Sequence, residues 1–302
     1  MTPDLAILRA ADVAALGSPA AQAAVRQALL EGLDPDAVTP RTIVETTHGQ
    51  SLLMPAEWGR WYGVKLVTIA PGNPAGGLPR INGLYLLHDA ETLVPQALLD
   101  GVALTSLRTA AVSLVAVRDR LTALAAPRPD GLRVVTFGRG PQSVAHTEAI
   151  RAVVPVATVT VLGRADDRAP VSDADVIVCA TTARVPLFDS ALLGDESVVI
   201  AVGSHEPDAR ELDASLLARS TVVVESRDVA TREAGDVMMA VDEGVLDPAD
   251  LVTLRAVVLG QVTPADGRPL VFKGCGMAWQ DLAVAAAAYE QWSAREGVVM
   301  TR

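Results

Sequence analysis

Apolar residues recur at helical spacing over residues 18–31, SPAAQAAVRQALLE, behind a Ser-Pro start, and predict an amphipathic helix. Three stretches follow, TPRTIVETTHGQSLLMPAEW, WYGVKLVTIAPGN and INGLYLLHDAETL, in which short β-rich runs alternate with Gly, Pro and Asn. That texture predicts an antiparallel sheet. Residues 106–124, SLRTAAVSLVAVRDRLTAL, predict a long helix that APRPDG breaks. Beyond the break the runs become continuously apolar: LRVVTFG, TVTVLG, ADVIVCA, SVVIAVG and STVVVES, separated by turns and helices such as LDASLLARS. Strands apolar on both faces belong to a parallel sheet covered by helices on each side. The tail FKGCGMAWQDLAVAAAAYEQW ends in an Ala-rich helix.

The predicted fold class is α/β: a Rossmann-like, doubly wound parallel sheet over residues 116–275, joined to an α+β domain of residues 1–115 with 276–302. The length of 302 residues accommodates two domains of ordinary size. Hydrophobic residues are 50 % and charged residues 20 % of the chain, which excludes a disordered class. A net charge of -11 opposes nucleic-acid binding by counterion release and attraction to anionic lipid. Two cysteines and four histidines without ligand spacing give neither a disulfide framework nor a metal site. The start has no signal-peptide pattern, and no stretch is read as a membrane span. The expectation is a soluble, cytoplasmic protein whose partners are small molecules.

The strand ending at residue 137 runs into Gly138-Arg139-Gly140-Pro141-Gln142-Ser143 and then a helix. Gly138 permits the tight turn, Gly140 lets backbone amides approach a pyrophosphate, and Ser143 is small enough for helix–strand packing. Pro141 suits the first helical position, where its missing N–H costs nothing. At the tip of the next strand, where an acid would hold the ribose 2′-OH of NAD, stand Gly163 and Arg164. A guanidinium there favours NADP(H) over NAD(H), although Asp166 or Asp167 is near enough in sequence to supply the acid. Only ADDRAPVSD separates Arg164 from the next strand, too little for a helix and another strand, so one sheet edge is expected to be abbreviated. Thr181, just after the strand ADVIVCA, completes the expected cofactor-binding set.

Three cations sit in unusual places. Period 2 puts Lys65 on the same strand face as Val67 and Ile69, where it needs an anion, a water-filled cavity, or an edge from which to reach solvent. Arg108 falls in the first turn of the helix predicted from residue 106, where the macrodipole disfavours a cation unless an anion is bound. Arg41 follows Pro40 in a strand-like run and reads alone as a surface residue.

Arg41, LMPAEWGRWYGVKLVTIAPGNP, LTSLRTAAVSLVAV, FGRGPQSVAH, AVGSHEPDARELD, VVVESRDVATREAGD and FKGCGMAWQDLA, in this order, resemble the ornithine cyclodeaminase and mu-crystallin family. The resemblance implies a homodimer whose first domain binds an amino or imino acid while a Rossmann domain presents nicotinamide. It implies that Arg41, Lys65 and Arg108 surround the substrate carboxylate. Two positions depart from the cyclodeaminases: His205 stands where their catalytic carboxylate falls, and Leu52 where they carry the acid that contacts a distal amine. The reductase branch is therefore the better match. It implies NAD(P)H-dependent reduction of a C=N bond beside a carboxylate, or the reverse dehydrogenation, with Lys65 and His205 as candidate proton donors. A cyclodeaminase-type ammonia lyase using NAD and a non-catalytic, mu-crystallin-like binding protein are the alternatives.

Overall fold

A computed structural model describes residues 5–297. The chain divides into two compact units, one formed by the residues up to Arg108 together with those from Met277, the other by Thr109–Gly276. The sequence placed these divisions after residues 115 and 275. Residues 1–4 and 298–302, assigned to the first domain, lie outside the described residues.

In the first unit β1 (Ala6–Leu8), α1 (Ala10–Ala14) and α2 (Gly17–Leu30) precede β2 (Thr42–Thr46), β3 (Gly49–Trp58), β4 (Trp61–Ile69), β5 (Ile81–Asp89) and β6 (Pro95–Asp100). Their sheet has the order β1-β6-β5-β4-β3-β2. Every pairing is antiparallel except that β1 runs parallel to β6. Three residues are too short for period 2 to reveal, so the sequence reading missed β1. Leu52, Met54 and Ala56 on β3, Trp61, Lys65 and Val67 on β4, and Tyr85 and Leu87 on β5 are all buried. The register pairs Met54 with Lys65 and Lys65 with Tyr85, so these side chains share one face.

Helix α3 (Gly101–Ala125) begins five residues before the predicted start, because Asp100 caps it: its Oδ1 accepts from the Val102 and Ala103 amides at 3.0 and 2.8 Å. Arg108 is consequently in the third turn and not the first, so the macrodipole conflict inferred for it does not exist. By length and composition α3 is also apolar enough to cross a membrane, which corrects the sequence reading. Its apolar side chains, among them Leu104, Val112, Leu114, Val117 and Leu121, are instead buried in the protein.

The second unit contains β7 (Leu132–Phe137), α4 (Pro141–Arg151), β8 (Val156–Leu162), β9 (Val176–Cys179), β10 (Val198–Ala201), α5 (Ala214–Arg219), β11 (Thr221–Val224), α6 (Arg227–Glu233), α7 (Gly235–Asp242), β12 (Val252–Thr253), α8 (Leu254–Val258) and β13 (Leu270–Lys273). The sheet is parallel throughout, in the order β12-β11-β13-β10-β9-β7-β8. All four residues of β9, β10 and β13 are buried, as the uninterrupted apolar runs of β9 and β10 require; β13 buries Lys273 at its carboxyl end as well. Beyond β7 lies only β8, and the segment from β8 to β9 holds one 3-10 turn, Ala169–Asp173. The abbreviated edge is thus present.

Helix α9 (Ala278–Glu296) returns the chain to the first unit and packs on β3, β4 and β5. Trp61 Nε1 donates to Glu290 Oε1 at 3.0 Å, and the Trp61 and Tyr289 rings meet edge to face. These contacts set the helix over the sheet face that carries Lys65.

Candidate active site

In the first unit Lys65 is 2 % exposed. The anion it needs is internal: Nζ lies 2.7 Å from Asp281 Oδ2, in the first turn of α9. Arg108 Nε donates to Asp281 Oδ1 at 3.1 Å, and Arg108 Nη1 to Gln280 Oε1 at 2.8 Å. One buried carboxylate therefore bridges two cations that the sequence had singled out separately. A guanidinium has five N–H donors, so these two bonds do not exhaust Arg108. Burial pushes the Lys65 proton affinity down to about 8. Asp281 opposes that shift, and the Arg108 and Arg41 charges add to it. Arg41, half-buried just ahead of β2, is thereby close enough to act on Lys65.

Tyr85, opposite Lys65 on β5, is fully buried, and burial with the nearby Asp281 charge raises its phenol well above the ordinary value. Its ring occupies the space over Gly63, where an added Cβ would come within 2.2 Å of the hydroxyl. Leu52 is buried on the same face as Lys65, so this departure from the cyclodeaminases places hydrocarbon and not carboxylate there.

In the second unit the glycine loop is tight at its first glycine and open at its second. Gly138 has φ +104°, and a Cβ there would lie 2.5 Å from the Ala180 carbonyl oxygen. Gly140 is the N-cap of α4, with Pro141 at its start, and nothing lies within 4 Å of a Cβ built on Gly140. Gln142 continues the first turn, and Ser143 is buried against the sheet as its size predicts. Open space over Gly140 and the amides of an 11-residue helix fit a pyrophosphate.

At the β8 tip Arg164 is exposed. Asp166 accepts from the Gly163 amide at 2.7 Å and from Arg139 Nη2 at 2.8 Å. The Gly163 bond, with the Arg139 and Arg168 charges, holds its carboxyl below the usual range. Arg168 donates to the Gly163, Arg164, Asp166 and Leu187 carbonyls and lies over the Phe137 ring, which makes it a structural clip. Thr181 follows β9, and both its amide and its hydroxyl donate to Glu211 Oε1 at 2.8 Å. His205 is half-buried after β10, at the carboxyl end of the parallel sheet where open α/β sheets bind ligands. Among the described residues no cluster of His, Cys, Asp and Glu has the arrangement of a metal site.

Sequence reasoning missed Asp281, Gln280, Tyr85 and Glu211. Asp281 and Gln280 were in view within FKGCGMAWQDLA, but an acid in the first turn of a helix is so common at the surface that position alone gives it no role. Only the docking of α9 shows it to be buried.

A lysine and an arginine paired on one buried carboxylate, in a chain that also holds a glycine loop of the dinucleotide type, fit a nicotinamide-dependent enzyme acting on a small anionic substrate. The ornithine cyclodeaminase/mu-crystallin family model matches residues 19–170 and 163–296, and the chain belongs to that family. It is 34 % identical over 313 aligned positions to the Δ1-pyrroline-2-carboxylate/Δ1-piperideine-2-carboxylate reductase of Azospirillum brasilense, covering 96 % of each chain. The solved Δ1-pyrroline-2-carboxylate reductase of Thermococcus litoralis, in complex with NADH and L-proline, superposes with TM-score 0.85 at 27 % identity, over 99 % of this chain and 100 % of that one. An archaeal alanine dehydrogenase dimer with bound NAD gives TM-score 0.81 at 27 % identity, over 98 % of each.

Proposed function

We propose that the protein is an NAD(P)H-dependent reductase of a small cyclic imino acid of the Δ1-pyrroline-2-carboxylate and Δ1-piperideine-2-carboxylate kind, also able to run the reverse dehydrogenation. The observation that carries this reading is Lys65, buried, held by Asp281 and flanked by Arg108 and Arg41. It is supported by the relatives' activities and by the absence of an acid at Leu52 and His205.

Arg41 and Arg108 bind the substrate carboxylate, and Arg108 is pre-aimed by Asp281 and Gln280, so its orientation need not be gained on binding. Lys65, with a proton affinity near 8, holds a proton at neutral pH yet releases it far more readily than an exposed lysine. It delivers that proton to the imine nitrogen, directly or through water. His205 is the second proton donor. Gly138, Gly140, Pro141, Gln142, Ser143 and Thr181 hold the nucleotide, which when bound supplies hydride.

NADP(H) is the favoured form. Arg164 is exposed at the β8 tip, where a guanidinium suits a 2′-phosphate, and Asp166 is already engaged by Arg139 and Gly163. The assembly is a homodimer in the cytoplasm. Leu53, Leu66 and Leu84 form a row across β3, β4 and β5 on the face opposite Lys65, each at least 37 % exposed, an apolar strip suited to a second copy.

The test is nucleotide oxidation, followed by absorbance, when the purified chain meets each cyclic imine with NADPH or NADH. Oxidation with formation of the cyclic amino acid supports the reading. Ammonia release from ornithine without net oxidation would replace it with the lyase, and absent nucleotide binding with a non-catalytic role.

A further inference from the structure

Three charged groups of the second unit lie fully buried and outside the glycine loop: Glu211, Asp236 and Lys273, none more than 2 % exposed. Burying charge is expensive, and apolar residues of similar volume serve a core as well or better. Their bonds converge on a few backbone positions. Glu211 Oε1 accepts from the Thr181 amide and hydroxyl, and Oε2 from the Gly203 amide, each at 2.8 Å. Asp236 Oδ1 accepts from the Glu211 and Leu212 amides at 2.7 and 2.9 Å, while Oδ2 lies 2.8 Å from Lys273 Nζ. Lys273 donates in turn to the Ser204 carbonyl at 2.7 Å. The two residues before His205 are thus each tied to a buried charge.

We propose that Glu211 is a positioning residue for the nicotinamide half of the cofactor: its carboxylate cross-braces the segments after β9 and β10, and the Lys273–Asp236 pair locks that brace from below. This rests on the cofactor and the His205 role proposed above. With the glycine loop after β7 and the ribose end at β8, the sheet order sends the other half of a dinucleotide past β9 and β10. Thr181 and the peptide leading to His205 are what it meets there.

Gly203 shows how tight the brace is. A Cβ on it would lie 2.2 Å from the Thr181 carbonyl oxygen and 2.4 Å from Glu211 Oε1. Burial raises the Glu211 proton affinity, while the Lys273 charge opposes this. All three bonds point donors at the carboxyl group, which serves them with both of its oxygens. An amide of the same shape has one acceptor oxygen, and its NH2 would face the Gly203 N–H, donor against donor.

The decisive variant is Glu211→Gln, compared with wild type in cooperative melting, amide exchange at Thr181 and Gly203, affinity for ADP-ribose, fluorescence of bound NADH, and turnover. The expected result is a cooperatively folded protein with ADP-ribose affinity within about twofold, faster exchange at both amides and quenched NADH fluorescence. kcat should fall by roughly tenfold to a hundredfold with KM for the imino acid little changed, as a misplaced reacting partner predicts. Should Glu211→Gln fail to fold, Glu211→Asp, which keeps the charge but shortens the reach to the Thr181 and Gly203 amides, should give the same pattern at smaller amplitude. Unchanged exchange and NADH fluorescence, or parallel loss of ADP-ribose and NADH affinity, overturns the brace. A wild-type chain that binds NADH without reducing any imine refutes the proposed reaction alone, since exchange and fluorescence still decide the brace.

Discussion

Lys65 on β4 and Asp281 on α9 approach to 2.7 Å in the buried interior of the first unit, and Asp281 also holds Arg108. In the proposed reaction this carboxylate would set both the charge of Lys65 as proton donor and the aim of Arg108 as anion clamp. Two consequences for pH follow. With Lys65 titrating near 8, reductive turnover should be flat through neutrality and decline above that pH, whereas amino-acid oxidation should rise through it. The folded proton affinity is below the ordinary lysine value of 10.5, so between those pH values the unfolded chain binds the extra proton, and this group's contribution to stability increases as pH climbs. Asp281→Asn removes the charge that opposes the shift, so the alkaline limb should move to lower pH by roughly one unit or more. Breaking a buried pair should also cost about 3–5 kcal/mol in denaturant melts. A pH–rate limb that stays in place would remove Lys65 as the titrating donor.

Arg108→Ala should raise KM for the imino acid by well over tenfold, with a smaller change in nucleotide affinity. It should also lower stability, because it deprives a fully buried Asp281 of a partner, a cost that the sequence alone gave no reason to expect. Parallel steady-state kinetics and urea unfolding separate the two effects, and unchanged kinetics would take Arg108 out of the site.

Gly138→Ala should abolish tight nucleotide binding. The new Cβ collides with the Ala180 carbonyl, and the left-handed backbone adds about 1–2 kcal/mol of strain. Calorimetric titration with ADP-ribose reads this without any turnover, and wild-type affinity in the variant would exclude the loop as the nucleotide site.

Arg164→Ala should weaken NADPH at least several-fold more than NADH if the guanidinium meets a 2′-phosphate. Equal effects on the two nucleotides would assign selectivity elsewhere at the β8 tip.

Leu66→Glu places a charge in the middle of the exposed Leu53–Leu66–Leu84 row. Sedimentation should show a dimer for the wild type and a shift toward monomer for the variant, while a variant that sediments as the wild type would move the interface to another face.

The second unit was legible from residue order because its signals are local. An all-apolar strand, two glycines, a proline at the first helical position and a small residue in the first turn each act within a few residues, and the shortened edge followed from counting the nine residues after Arg164. Lys65 betrayed itself in the same way, as a charge out of phase with its strand. The bonds that make these residues a site were beyond that reach. Asp281 meets Lys65 only because α9 folds back over β4, and Glu211 reaches Thr181 and Gly203 only once parallel pairing has put β9 beside β10. Periodicity reports which side of an element is buried; which buried charge neutralises another depends on the packing of distant segments, where desolvation makes an unpaired ion costly enough to select one arrangement.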